Sequence, residues 1–229
     1  MILRVIIILV YVFVNGLANA QTPKELLDHI KAKLDKVKDY TAEGKLKTNV
    51  IFIKAPVAEV KIYYKKPDKM KIVNEKGISF IPKGSVNINL VKFLSGSADY
   101  EIVDAGNDRE TGLRVLKLLP NGEQSDIVLS TLYIDEKKEL IRRATNTTRD
   151  NGTYELEMNY GKYENFGLPD KVIFSFNIKD YKLPKGVTFD YDDGTSQKPE
   201  ENIKNKKGQV EITYNKYAIN KGIADKIFD

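Results

Sequence analysis

From Tyr40 onward the chain alternates apolar and polar residues with a period of two, run after run, and the connectors between the runs are short. Strand patterns fall at Leu46–Ile53, with a break near Pro56, and then at Val57–Lys65, Lys69–Asn74 and Ile78–Ile81. They resume at Tyr100–Asp104, Leu113–Leu119, Asp126–Asp135, Leu140–Thr148, Tyr154–Lys162, Lys171–Asn177 and Gln209–Tyr217. The connectors Pro120-Asn121-Gly122, Asp135-Glu136-Lys137-Lys138, Asp150-Asn151-Gly152 and Leu168-Pro169-Asp170 are of hairpin type. Parallel pairing needs crossovers of a dozen residues or more, so such connectors dictate antiparallel pairing. About ten strands joined this way curl rather than lie flat. The expected fold class is α+β, mostly antiparallel β: a strongly curved sheet or open barrel with one or two helices against its inner side.

The first helix is signalled locally. Thr22 can cap it, Pro23 suits the first helical position and Glu25 completes a capping box. Leu26, Leu27, Ile30, Leu34 and Val37 then recur at helical spacing, with Lys and Asp opposite. Such a stripe has to pack on something, most simply the sheet. Asn89–Leu94, ended by Ser95-Gly96, reads as a second, short helix. Asp190–Lys207 is polar and poor in hydrophobic residues, so it reads as a mobile loop before the last strand, and Asp225–Phe228 as a terminal turn.

Residues 1–20 have the form of an export signal. Arg4 supplies the positive charge, Val5–Val14 the apolar run and Ala18-Asn19-Ala20 the small-x-small cleavage site. Cleavage after Ala20 would leave residues 21–229, expected to be one β-rich domain working outside the cytoplasm. The chain has no cysteine, so no disulfide staples the fold and a hydrophobic core must hold it. For the same reason the mature chain is not expected to carry an acylated amino-terminal Cys. The formal charge of +5 is spread along the strands as Lys alternating with apolar residues, a pattern of solvated faces that excludes nucleic acid as a partner.

The residues for catalysis are not there in any recognisable spacing. His29 is the single histidine, on the polar side of the first helix, and no G-x-S-x-G elbow exists. Asp192-Asp193-Gly194 lacks the rest of a calcium loop, and no Cys/His set could hold zinc. No catalytic residue, metal site or cofactor is therefore assigned. The N-x-T sequences at Asn146 and Asn151 read as polar residues of a hairpin. A supply of bulky apolar residues on strands stands out instead. A greasy cleft gains about 0.8 kcal/mol for each CH₂ of a lipid tail it buries.

The stretch Glu59–Val73, EVKIYYKKPDKMKIV, carries a more specific signal. One strand runs into Lys65-Lys66-Pro67-Asp68 and a second follows at once; Pro67, which has no N–H to donate, marks the corner. Upstream lies the helix with Leu34-Asp35-Lys36-Val37, three residues before Tyr40. Phe80-Ile81-Pro82, Leu116-Lys117-Leu118-Leu119-Pro120 and Leu183-Pro184-Lys185-Gly186-Val187 add looser matches. Together these segments resemble the LolA outer-membrane lipoprotein carrier family, as a divergent member.

That resemblance implies an unclosed half-barrel with an amino-terminal helix and a short lid helix, working as a monomer in the periplasm. It implies a carrier that takes an acylated lipoprotein or lipid from an inner-membrane transporter to an outer-membrane receptor. A lipid or lipoprotein sensor of the same fold is the alternative, and an envelope enzyme a more distant one. The cavity would be lined by Val50, Phe52, Ile62, Tyr64, Met70, Ile72, Phe80, Tyr133, Met158 and Phe174, with faces assigned by strand alternation. The family's lid-latching Arg, just before the corner proline, is matched by Lys66, which keeps the charge but not the planar fork. The final strand and the INKGIADKIF end extend beyond the best-known carriers.

Overall fold

The computed structural model describes residues 21–49, 57–67, 69–76, 100–121, 126–150, 152–177 and 207–228. The export signal, the strand at Ile78–Ile81, the short lid helix at Asn89–Leu94 and all but the last residue of the Asp190–Lys207 loop lie outside these residues. The first helix, α1, runs Pro23–Asp35 and starts as its sequence dictates. The Glu25 amide donates to Thr22 Oγ1 at 3.2 Å and the Thr22 amide donates to Glu25 Oε2 at 2.8 Å, a reciprocal capping box.

Ten strands follow: β1 (Asp39–Asn49), β2 (Ala58–Lys65), β3 (Lys69–Lys76), β4 (Tyr100–Asn107), β5 (Arg114–Pro120), β6 (Ile127–Asp135), β7 (Leu140–Thr148), β8 (Thr153–Asn159), β9 (Lys171–Asn177) and β10 (Lys207–Ile219). They form one antiparallel sheet in the order β3-β2-β1-β10-β9-β8-β7-β6-β5-β4. β3 and β4 stand at opposite ends of that order and do not pair, so the sheet is an unclosed half-barrel with the helix at its amino end. Most neighbours are hairpin partners. The exception is the seam between β1 and β10, where Tyr40 meets Ile219 and Asn49 meets Gln209.

Alternation decides which side chains point inward. On β1 Tyr40, Ala42 and Leu46 are buried while Glu43, Lys45 and Lys47 are exposed. β2 repeats the pattern with Ala58, Val60, Ile62 and Tyr64. Leu132, Leu156, Met158 and Phe174 continue the same inner face across the sheet, and the α1 stripe Leu26, Leu27, Ile30 and Leu34, with Val37 just past its end, closes over it in a single core. A register shift at the β1–β10 seam adjusts the face. Glu43 pairs with Lys216 but Gly44 with Tyr214, so Asn215 bulges and both Tyr214 and Tyr217 turn inward.

Gly44 is essential at this bulge. A Cβ there would stand 2.5 Å from the Thr213 carbonyl oxygen, a backbone atom that cannot step aside. We expect Gly44→Ala to destabilise the fold by about 1–3 kcal/mol, the usual cost of overpacking. Urea denaturation would show it as a lower midpoint; an unchanged midpoint would mean that the seam can shift freely.

Candidate functional site: an apolar cavity under the first helix

Helix α1 is fixed to the sheet along its length. At its start the Gln21 carbonyl accepts from Arg114 at 2.7 Å, and Arg114 also pairs with Glu136 at 2.6 Å and Asp104 at 2.8 Å. In the middle Lys33 Nζ donates to the Lys138 carbonyl at 2.6 Å, on the turn between β6 and β7. At the end Lys66 reaches across from the β2–β3 corner and donates to Asp35 Oδ1 at 2.7 Å and to the Asp35 carbonyl at 3.2 Å. The Lys66 amide itself donates to the Lys38 carbonyl at 2.9 Å. A cation at a helix carboxyl end is favoured by the exposed carbonyls there.

The helix exit is clasped by the end of β10. Asn220, at φ +55°, donates from Nδ2 to the Lys36 carbonyl at 2.8 Å and accepts the Lys38 amide on Oδ1 at 2.7 Å. In return Asp39 Oδ1 accepts the amides of Lys221 and Gly222, both at 3.0 Å. Asp225, in the one-turn helix Asp225–Ile227, meets Lys69 at 2.7 Å and Lys65 at 3.1 Å, so the same segment also braces the β2–β3 corner. Those two ammonium groups hold the Asp225 carboxyl below its ordinary range, the Lys69 hydrogen bond contributing most.

Between α1 and the sheet lies a cavity of about 130 Å³. Its helix wall is Ile30, Lys33 and Leu34, and its floor draws on β1, β2, β3, β7, β8, β9 and β10. The close approach of the helix depends on Gly167, at φ +64° after the one-turn helix Glu164–Phe166. A side chain at that position would stand 2.8 Å from Leu34 Cδ2. One end of the cavity is a tyrosine cluster: Tyr217 lies 5.3 Å from Tyr40 and 5.1 Å from Tyr214, ring centre to ring centre. The Tyr217 hydroxyl donates to the Pro169 carbonyl at 2.8 Å.

Of the residues expected from alternation, Ile62, Met70, Ile72, Met158 and Phe174 line this cavity together. Tyr64 sits in the core beside them, its ring 5.1 Å from that of Tyr40, but does not line the space. Tyr133 is on the other face. It pairs with Arg143 across the strand, and the guanidinium lies 3.7 Å from its ring centre, while its neighbours Leu132 and Ile134 are fully buried. The aromatic ring drew the inward assignment, whereas the two aliphatic neighbours define the inner face. Val50, Phe52 and Phe80 lie outside the described residues. Lys66 bonds α1 through Asp35, and the expected lid helix lies outside the described residues.

Tyr40, Leu46, Ile141, Leu156, Val210, Ile212, Tyr214 and Tyr217 also line the cavity, none of them anticipated. For the β10 residues the alternation Val210-Ile212-Tyr214 was visible in the sequence. What was not visible is that the final strand sits mid-sheet between β1 and β9.

The fold, an unclosed half-barrel under one helix, is shared with solved structures of other proteins. No protein-family model and no curated protein sequence matches the chain. Solved structures do. A provisionally assigned outer membrane lipoprotein-sorting protein domain from Vibrio parahaemolyticus superposes with a TM-score of 0.57 at 10% identity, covering 90% of this chain and 95% of that one. A LolA superfamily protein from Nitrosomonas europaea gives 0.53 at 11% identity, covering 89% and 97%. A DUF1329 family protein from Desulfovibrio piger gives 0.52 at 12% identity, covering 92% and 98%. The fold is common to all of them over nearly their whole lengths.

Burial pushes the phenols of Tyr40, Tyr214 and Tyr217 above their ordinary range. Unfolded tyrosines ionise near pH 10, so the folded state keeps protons that the unfolded state has lost above about that pH. Stability should thus be intact below about pH 10 and fall as the pH rises beyond it. Urea midpoints followed through that range, alongside tyrosinate absorbance, would show the decline, and Tyr217→Phe should flatten part of it. A midpoint independent of pH there would contradict the burial of these phenols.

Proposed function

We propose that this chain is an exported carrier that holds acyl chains of lipoproteins or lipids in the cavity beneath α1, for transfer toward the outer membrane. The observation that carries this reading is the cavity itself: aliphatic and aromatic side chains from seven strands face a helix whose own apolar stripe covers only part of them. Each methylene taken in gains about 0.8 kcal/mol, so even a short tail binds appreciably. The likeness to a lipoprotein-sorting domain and to a LolA superfamily protein supports the same reading. The sequence pattern of residues 1–20 supports export, and the periplasm as the working compartment.

Release is proposed to involve α1. Its ties at Lys66–Asp35 and Lys33–Lys138 are partly exposed, so each contributes little and can be exchanged at modest cost. Lys66→Ala should therefore speed exchange of a bound fluorescent fatty acid while leaving the thermal midpoint close to that of the parent.

Native mass spectrometry of the protein purified from its own cell envelope, followed by lipid extraction, tests the carrier reading. A bound acyl species or a co-purifying lipoprotein is the expected outcome. A bare mass, together with no uptake of a fluorescent fatty acid, would sink it. Phe174→Glu places a carboxylate in the cavity and should weaken fatty-acid uptake by about tenfold or more, provided circular dichroism shows the sheet intact.

A further inference from the structure

Among the described residues lining the cavity only two carry charge, and they face each other. Lys33 comes from α1 and Glu139 from the turn between β6 and β7, with Nζ and Oε2 3.7 Å apart. Lys33 is 17% exposed and Glu139 33%, which sets the pair at the rim where the apolar interior meets water. Each is aimed there by its surroundings. The Lys138 carbonyl holds the ammonium at 2.6 Å. Glu139 stands at φ +49°, in the left-handed region that residues with a Cβ seldom occupy, and its Oε1 lies 2.8 Å from His29 Nδ1. A carboxylate is thus kept against a cation and an imidazole at the mouth of an otherwise apolar space.

At 3.7 Å the Lys33–Glu139 contact is an ion pair but too long for a hydrogen bond. An incoming anion with its tail in the cavity could approach the same ammonium to about 2.8 Å, the distance of a charge-assisted hydrogen bond. A neutral hydroxyl head can accept from the same ammonium but brings no negative charge to replace that of Glu139.

We propose that the cavity selects amphiphiles with an anionic head, whose carboxylate or phosphate replaces Glu139 at Lys33. The inference rests on the reading of the cavity as an acyl site and adds the chemistry of the head group. Nothing beyond one hydrophobic tail and one anion is required of the ligand.

Displacement of a fluorescent fatty acid by laurate, dodecyl phosphate and dodecanol separates the two claims, because the three share a tail and differ in the head. The wild-type protein should bind the two anions about tenfold or more tightly than the alcohol. Lys33→Gln should erase that preference whatever its effect on overall affinity, and Lys33→Arg, which keeps the charge, should retain it. Glu139→Gln should strengthen anion binding. A larger response to laurate assigns a free fatty acid, and a larger response to dodecyl phosphate a lipid phosphate. Equal binding of all three probes, or a preference that survives Lys33→Gln, overturns the head-group inference and leaves the acyl cavity standing. Failure of every probe overturns both.

Discussion

One mismatch of size underlies the structure: among the described residues a single helix longer than one turn lies over the inner face of a ten-stranded sheet. Thirteen residues of α-helix reach about 20 Å and span about 10 Å in width, while ten strands laid side by side extend over about 45 Å. The apolar stripe of α1 is fully used, since Leu26, Leu27, Ile30 and Leu34 are all buried, as is Val37 just past its end. The sheet's inner face is not used up by it. Curling brings the uncovered part round until residues as distant in the sheet as Met70 and Leu140 border the same space. Among the described residues, the cavity is the part of that inner face that α1 leaves unfilled.

Polar contacts do a different job from the core. Most ties between α1 and the sheet involve partly exposed groups, and exposed ion pairs contribute only about 0–1 kcal/mol each. They set where the helix lies more than how stable the protein is. Arg114 is the exception, being only 11% exposed and bonded to Asp104, Glu136 and the Gln21 carbonyl at once. Its hydrogen bond to Asp104 keeps that carboxyl below the usual range. The amino end of α1 is thereby held by a nearly buried guanidinium, and its carboxyl end by Lys66 and the Asn220 clasp.

How much of this could be read beforehand follows the range of the forces involved. The helix start was legible to the residue, because capping by Thr22 and Glu25 is decided within one turn. Strand positions were legible because period-two alternation is local, although β1 begins at Asp39, ahead of the expected Leu46, and β8 ends at Asn159, short of Lys162. The corner at Lys66-Pro67 was legible from the fixed geometry of proline. Sheet order was not: that β10 lies against β1 depends on contacts between opposite ends of the chain, and with it went Val210, Ile212, Tyr214 and Tyr217 as cavity residues. Tyr133 was misplaced because a large ring can pack as well under an arginine outside as among aliphatics inside.

The seam between β1 and β10 also governs timing. A polypeptide delivered amino end first has its opening helix and first three strands in hand while the partner for the far side of β1 has yet to appear. Until Lys207–Ile219 arrives, β1 and β9 each present a bare row of amides and carbonyls, open to mispairing with any other strand. Contacts this distant in sequence are slow to form, since the intervening chain must be ordered before the pairing repays it. The last strand is therefore the keystone of assembly, and a chain truncated before it would carry two raw edges in the middle of its sheet.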